Sequence, residues 1–180
     1  ILFGALAAWG WCRHKHYPMA LLADAVAPAL LVAQAIGRLG NWFNQELYGG
    51  QTTLPWGLQI DGSDVLYHPT FLYELIWNLI GAALIIWIGR RAAAMLKAGS
   101  LLTIYVMWYT AGRTWIEALR IDYAHTFLGV RINVWVSIAV FICGVIAFIA
   151  VQRIGSAPEP LQERLAAVTA SEQTEQGEQG

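Results

Sequence analysis

Three short polar runs sit at the ends of apolar segments, and each holds residue types suited to handling an anion. The first is Gly37-Arg38-Leu39-Gly40-Asn41-Trp42-Phe43-Asn44-Gln45-Glu46-Leu47-Tyr48-Gly49. Arginine, two asparagines, glutamine and glutamate closing an apolar helix are costly in hydrocarbon, so such residues face a cavity or a bundle interior. An arginine snorkelling to an interface explains Arg38 taken alone, but not the whole run. Gly37 and Gly40 leave room for another helix or a ligand beside the backbone. The second run carries Arg113, Glu117 and Arg120 at i, i+4 and i+7. On a helix these share one face, and Glu117 reaches both guanidinium groups. Two arginines around one glutamate keep a positive charge for an anion to balance; a ladder that only neutralises buried charge is the competing reading for Glu117. The third run is Tyr67-His68-Pro69-Thr70-Phe71-Leu72-Tyr73-Glu74. Pro69 suits a first helical turn, which places His68 just before the helix as a hydrogen-bonding group rather than a general base. Glu74 and Asn78 fall one turn apart, with Glu74 toward the polar interior.

Arginine offers a planar fork of donors that matches phosphate and stays charged when partly buried. Arg38 and Arg113 are therefore the candidate clamp for a phosphate. Asn41 and Asn44 are placed to bond ligand oxygens or the Arg38 guanidinium, and Arg120 and His68 complete the candidate binding set. Glu46 and Glu117 are the candidate orienting carboxylates, and either is a candidate proton acceptor. Cys12 and Cys143 lie in apolar blocks with no motif around them, so they read as packing residues, with no disulfide and no metal site.

The elements that must position these groups follow from composition. Apolar residues make up 57% of the chain and charged residues 13%, against about 25% charged in a soluble domain. The apolar residues form five blocks, at 1–12, 19 to about 41, 71–88, 100–119 and 132–151. The last four approach the roughly 20 residues a membrane-spanning helix needs. The first is too short to span and has neither an initiator Met nor a charged leader, so it reads as the end of a helix. The expected fold is an all-α polytopic membrane protein: four complete transmembrane helices plus the end of a fifth, a periplasmic head-like segment, and a disordered cytoplasmic tail. The membrane domain is placed at 1–153 and the tail at 154–180, where Pro158 and Pro160 break helix and Glu, Gln and Ala dominate. Residues 47–67 carry turn signals at Gly49-Gly50, Pro55-Trp56-Gly57 and Asp61-Gly62. Alternating the sides puts Arg13, Arg90, Arg91, Arg153, Arg164 and both lysines on one face, which the positive-inside rule makes cytoplasmic. A net charge of −1 argues against a nucleic-acid partner. The lack of an internal repeat or paired broken helices argues against the common transporter architecture.

Taken together, the three runs resemble the prolipoprotein diacylglyceryl transferase family. Its signature, approximately Gly-Arg-x-x-Asn-x-x-Asn-x-Glu-x-x-Gly, is matched from Gly37 to Gly49. A His-Pro-x-x-Leu-Tyr-Glu pattern is matched at His68 to Glu74, and Arg-x-x-x-Glu-x-x-Arg at Arg113 to Arg120. The resemblance covers about residues 1–153; Trp42 stands where Phe is commoner, and the family's His-Gly-Gly stretch has no counterpart in these residues. It implies a multi-pass bacterial inner-membrane enzyme with its site toward the periplasm. The implied reaction moves a diacylglyceryl group from phosphatidylglycerol to the lipobox cysteine thiol of a prolipoprotein, forms a thioether and releases glycerol 1-phosphate, without a cofactor. Two other readings use the same arginines: a non-catalytic membrane protein that binds or transports an anionic lipid or solute, and a transferase with the same donor but another acceptor.

Overall fold

The computed structural model describes residues 2–92, 94–121 and 125–155. Its helices are α1 (Leu2–His14), α2 (Met19–Phe43), α3 (Thr70–Arg91), α4 (Ser100–Leu119) and α5 (Ile132–Ile154). Three of them, α2, α3 and α5, are long and apolar enough to cross a membrane. At about 1.5 Å per residue even the shortest of these covers a hydrocarbon core of about 30 Å. α4 has 20 residues but is kept out of that set by its polar side chains, Arg113 and Glu117 among them. α1, at 13 residues, is too short to span. The expected tail falls almost wholly at 156–180, outside the described residues.

The bundle is apolar outside and polar inside. Val32 and Ile36 of α2, Ile76 and Ile80 of α3, and Val136, Ile142 and Ile146 of α5 are all exposed, whereas Glu74, Asn78, Ser100 and Glu117 are buried. Water would not tolerate so much contiguous apolar surface, and a bilayer would. Inside, Leu31, Ala82 and Ile85 form a small core against which Leu101, Ile104, Tyr105, Trp108 and Tyr109 pack. α4 touches α2, α3 and α5, so it is the helix around which the others are set.

The two ends of the bundle are built differently. At one, α4 begins at Gly99, whose left-handed φ of 97° suits glycine and which has no side chain to cap the helix. Asp24 of α2 supplies the cap from outside: its carboxylate accepts from the Gly99 N–H at 2.7 Å and the Leu102 N–H at 2.9 Å. At the other end lie the connections 44–69 and 120–131. In the first, β1 (Gln51–Thr52), β2 (Leu58–Gln59) and β3 (Leu66–Tyr67) make a small antiparallel sheet in the order β1-β3-β2, with Gln51 and Leu58 both opposite Tyr67. In the second, β4 (Thr126–Phe127) and β5 (Val130–Arg131) form a hairpin around Leu128 and Gly129, with φ of 52° and 75°. Two positive φ values in a two-residue loop suit the right-handed twist of the strands.

Gly49 ties this end together. Its N–H donates to the His68 carbonyl at 2.7 Å, and the Gly50 N–H donates to the carbonyl of Leu119, the last residue of α4, at 3.0 Å. A Cβ at Gly49 would lie 2.8 Å from that carbonyl and 2.9 Å from the His68 Cβ. The close approach, more than a turn, explains glycine here.

Candidate functional site

The sequence places Arg38 near the end of α2, Glu74 in the first turns of α3, and Arg113 and Glu117 in the last turns of α4. Antiparallel packing brings all four to the same end of the bundle. Arg38 Nη2 lies 2.9 Å from Glu74 Oε1, and Arg113 Nη1 lies 3.6 Å from Glu74 Oε2. Arg113 turns its other nitrogen, Nη2, to Glu117 Oε2 at 3.1 Å. One guanidinium thus bridges two carboxylates on two helices. Glu117 is 1% exposed; it accepts from Arg120 Nη1 at 3.5 Å and from Asn133 Nδ2 at 2.9 Å, and Arg131 Nε lies 3.1 Å away as an ion pair. Arg131 Nη1 also donates to the Arg120 carbonyl at 2.8 Å, fastening the start of α5 to the end of α4.

Each buried carboxylate faces more than one guanidinium. Arg38 and Arg113 share Glu74, while the charge of Glu117 is divided among Arg113, Arg120 and Arg131. The Arg38 and Arg113 side chains remain 21% and 20% exposed, so each has donors left for a ligand. A site with fixed, partly desolvated guanidinium forks suits a phosphate.

The residues singled out from sequence divide into two groups. Arg113, Glu117 and Arg120 come together as the i, i+4, i+7 spacing requires, and Arg38 joins Arg113 through Glu74. Asn41 is close by in chain position, and its Nδ2 is buried with no hydrogen-bond partner among the described residues. It does not bond the Arg38 guanidinium. Asn44 and Glu46 stand apart: both are exposed, and Asn44 Nδ2 donates to Glu46 Oε1 at 3.2 Å. The reason is local backbone. α2 stops at Phe43, and Gln45 and Leu47 then take positive φ of 49° and 59°, turning the chain away from the cluster. The carboxylate that orients Arg38 is therefore Glu74, not Glu46. His68 sits in the connection before α3, with Nδ1 3.1 Å from the Tyr73 hydroxyl, which also accepts from Trp56 Nε1 at 2.9 Å. It makes this hydrogen bond and is not a member of the ion-pair cluster. Gly37 and Gly40 face open space, since a Cβ on either would meet nothing within 4 Å.

Arg131 and Asn133 were not among the residues assigned a role from sequence. Arg131 is a basic residue outside the set that the positive-inside rule placed on the cytoplasmic face, and that is its only signal in the sequence. A groove opens beside the cluster between α4 and α5, lined by Tyr105, Val106, Tyr109, Thr110 and Arg113 on one wall and by Asn133, Val136, Ser137 and Val140 on the other, with a volume of about 320 Å³. Its polar end holds Arg113 and Asn133, and its other end is aromatic and aliphatic. That gradient fits an amphiphile better than a small polar solute.

Fold and site together define a helical membrane protein with an arginine–carboxylate cluster at one end of its bundle. The family model for prolipoprotein diacylglyceryl transferase matches residues 1–150, and the chain belongs to that family. It is 64% identical to the phosphatidylglycerol–prolipoprotein diacylglyceryl transferase of Bifidobacterium adolescentis, over 100% of this chain and 60% of that relative. It is 55% identical to the protein of the same name in Bifidobacterium longum, over 96% of this chain and 61% of the relative. For the one in Cutibacterium acnes the figures are 50%, 85% and 54%. The chain thus spans about three fifths of the length of the first two.

Proposed function

We propose that this chain forms the larger part of the membrane domain of an enzyme that transfers the diacylglyceryl group of phosphatidylglycerol to the lipobox cysteine of a prolipoprotein. The observation that carries this reading is the convergence of Arg38 and Arg113 on the buried Glu74, beside a groove whose polar end is Arg113 itself. The names of the relatives favour it over a non-catalytic lipid or solute carrier.

The reaction is a displacement at saturated carbon. The cysteine sulfur, as thiolate, attacks the glycerol carbon that bears the phosphate; a C–S bond forms while the C–O bond breaks. The electron pair leaves on the phosphate oxygen as glycerol 1-phosphate, and the thiol proton passes to a base. The protein must stabilise negative charge as it gathers on that oxygen. Arg38 and Arg113 are already fixed by Glu74 and Glu117, so they need no reorganisation when the charge develops. Glu117, buried among three arginines and Asn133, serves as an orienting carboxylate rather than as the base. Acyl chains lie along the apolar part of the α4–α5 groove with the head group at Arg113.

In the membrane, α2 to α5 span the bilayer and α1 is the end of a fifth span. Arg13, Lys15, Arg90, Arg91, Lys97 and Arg153 then face the cytoplasm together with the C-terminus. The arginine cluster and connections 44–69 and 120–131 form a head on the periplasmic side of the inner membrane. The test is to incubate the full-length protein with phosphatidylglycerol labelled in its acyl chains and a lipobox peptide. Label is expected on the cysteine peptide and not on its Cys→Ser counterpart. Binding of the lipid without transfer would return the protein to the carrier class, and transfer to another acceptor alone would reassign its substrate.

A further inference from the structure

Trp77 of α3 and Trp108 of α4 make a reciprocal contact that the sequence does not announce. Their rings stack with centroids 4.4 Å apart and planes 17° from parallel. Trp77 Nε1 donates to the Trp108 carbonyl and Trp108 Nε1 to the Trp77 carbonyl, each at 3.0 Å. Each ring edge also lies on a glycine of the opposite helix. A Cβ at Gly112 would fall 2.3 Å from Trp77 Nε1, and a Cβ at Gly81 would fall 2.2 Å from Trp108 Nε1. Both helices therefore carry the same device, a tryptophan followed one turn later by a glycine, and the two devices interlock.

The clasp allows one register. Sliding α4 along α3 by a single residue, about 1.5 Å, would break both indole hydrogen bonds and drive the rings against backbone or Cβ atoms. In an apolar medium an unpaired indole N–H is costly, so both bonds are lost together or kept together. Arg113 directly follows Gly112, and Glu74 lies about one turn before Trp77. Their separation of 3.6 Å is thus fixed by the clasp. The aromatic contacts continue toward the head: Trp115 meets Trp77 edge-on at 5.9 Å and stacks on Tyr73 at 6.3 Å, and Tyr73 carries the hydrogen bond to His68.

We propose that the interlocked pairs Trp77/Gly112 and Trp108/Gly81 are the positioning element that sets Arg113 for the phosphate it grips, so that they govern turnover and not stability alone. The inference rests on the reading of Arg113 as the phosphate-gripping group. Neither tryptophan touches the reacting atoms; both act through the register of α3 and α4.

The test uses the full-length protein with Gly112→Ala, Trp77→Leu, the double variant, and Arg113→Lys as reference. Three quantities are measured: kcat and KM for phosphatidylglycerol, the thermal midpoint in micelles, and the circular-dichroism couplet that two stacked indoles produce. Displacing a positioned group by about 1 Å costs on the order of a hundredfold in rate, so Gly112→Ala is expected to lose about that much kcat with little change in KM. Trp77→Leu removes the same clasp and should lose a similar kcat, so the double variant should be no slower than about the slower single one, the two losses not multiplying. Should Gly112→Ala fail to accumulate in the membrane, Trp108→Phe carries the same criterion, since it removes the hydrogen bond and couplet without adding an atom. A lowered thermal midpoint and lost couplet beside a wild-type kcat would overturn the proposal, as would single losses that multiply in the double variant. Wild-type kcat in Arg113→Lys would instead overturn the reading of Arg113.

Discussion

Replacing Glu74 by glutamine removes one charge and leaves two guanidinium groups facing a neutral amide. Glu74 is 3% exposed and holds Arg38 at 2.9 Å and Arg113 at 3.6 Å. Removing one partner of a buried ion pair typically costs about 3–5 kcal/mol. Three features place this case at the lower end. Both contacts are ion pairs without hydrogen-bond geometry, Glu74 Oε1 having no hydrogen-bond partner among the described residues; both arginines keep some exposure and rehydrate; and the amide retains one carbonyl acceptor. The expected loss is about 3 kcal/mol, which is more than a hundredfold in the unfolding equilibrium. The assay is reversible unfolding of the full-length protein in mixed micelles as the fraction of denaturing detergent is raised. Glu46→Gln is the control, because Glu46 is exposed and its hydrogen bond is to the equally exposed Asn44; it should stay within about 0.5 kcal/mol of the parent. If Glu74→Gln costs no more than Glu46→Gln, the two arginines are not held by Glu74 and the cluster has been misread.

Asp24→Ala should lower stability by about 0.5–2 kcal/mol in the same assay, because it strips the carboxylate that caps the start of α4; Asp24→Asn, which keeps one acceptor, should cost less. The proposed topology predicts that single cysteines at Asp64 and Met95, both exposed, react oppositely with a membrane-impermeant thiol reagent in intact cells carrying Cys12→Ser and Cys143→Ser. Ser100 is unsuitable for the cytoplasmic probe, since it is fully buried.

Much of this architecture was legible because apolar blocks and helices coincide. The block at 100–119 is α4 to the residue, and the block at 71–88 falls inside α3. The Arg113–Glu117–Arg120 face was legible for the same reason: spacing within one helix fixes which residues meet. Partnership between helices was not. Glu74 was read as inward-facing, yet nothing in a single chain says that Arg38 and Arg113 both turn to it. Glu46 was drawn in by its place in a conspicuous run, and two positive-φ residues after α2 take it away. The repeated tryptophan–glycine spacing at 77–81 and 108–112 was visible, but only antiparallel packing of α3 on α4 shows that the two copies face each other.

In the proposed reaction Arg38 and Arg113 grip the departing phosphate through directed, paired hydrogen bonds. Arg113 spans Glu74 and Glu117 with different nitrogens, and a lysine, with one nitrogen, can replace its charge but not its fork. The most direct measurement is the initial rate of diacylglyceryl transfer to a lipobox peptide at saturating phosphatidylglycerol, in full-length Arg38→Lys and Arg113→Lys, with each variant's membrane level quantified. Losing a preorganised donor aimed at developing charge typically slows a reaction about a hundredfold to a thousandfold, and both variants are expected to insert normally and fall in that range. Near-parental turnover in both would contradict the account and leave the arginines as counter-charges to Glu74 and Glu117.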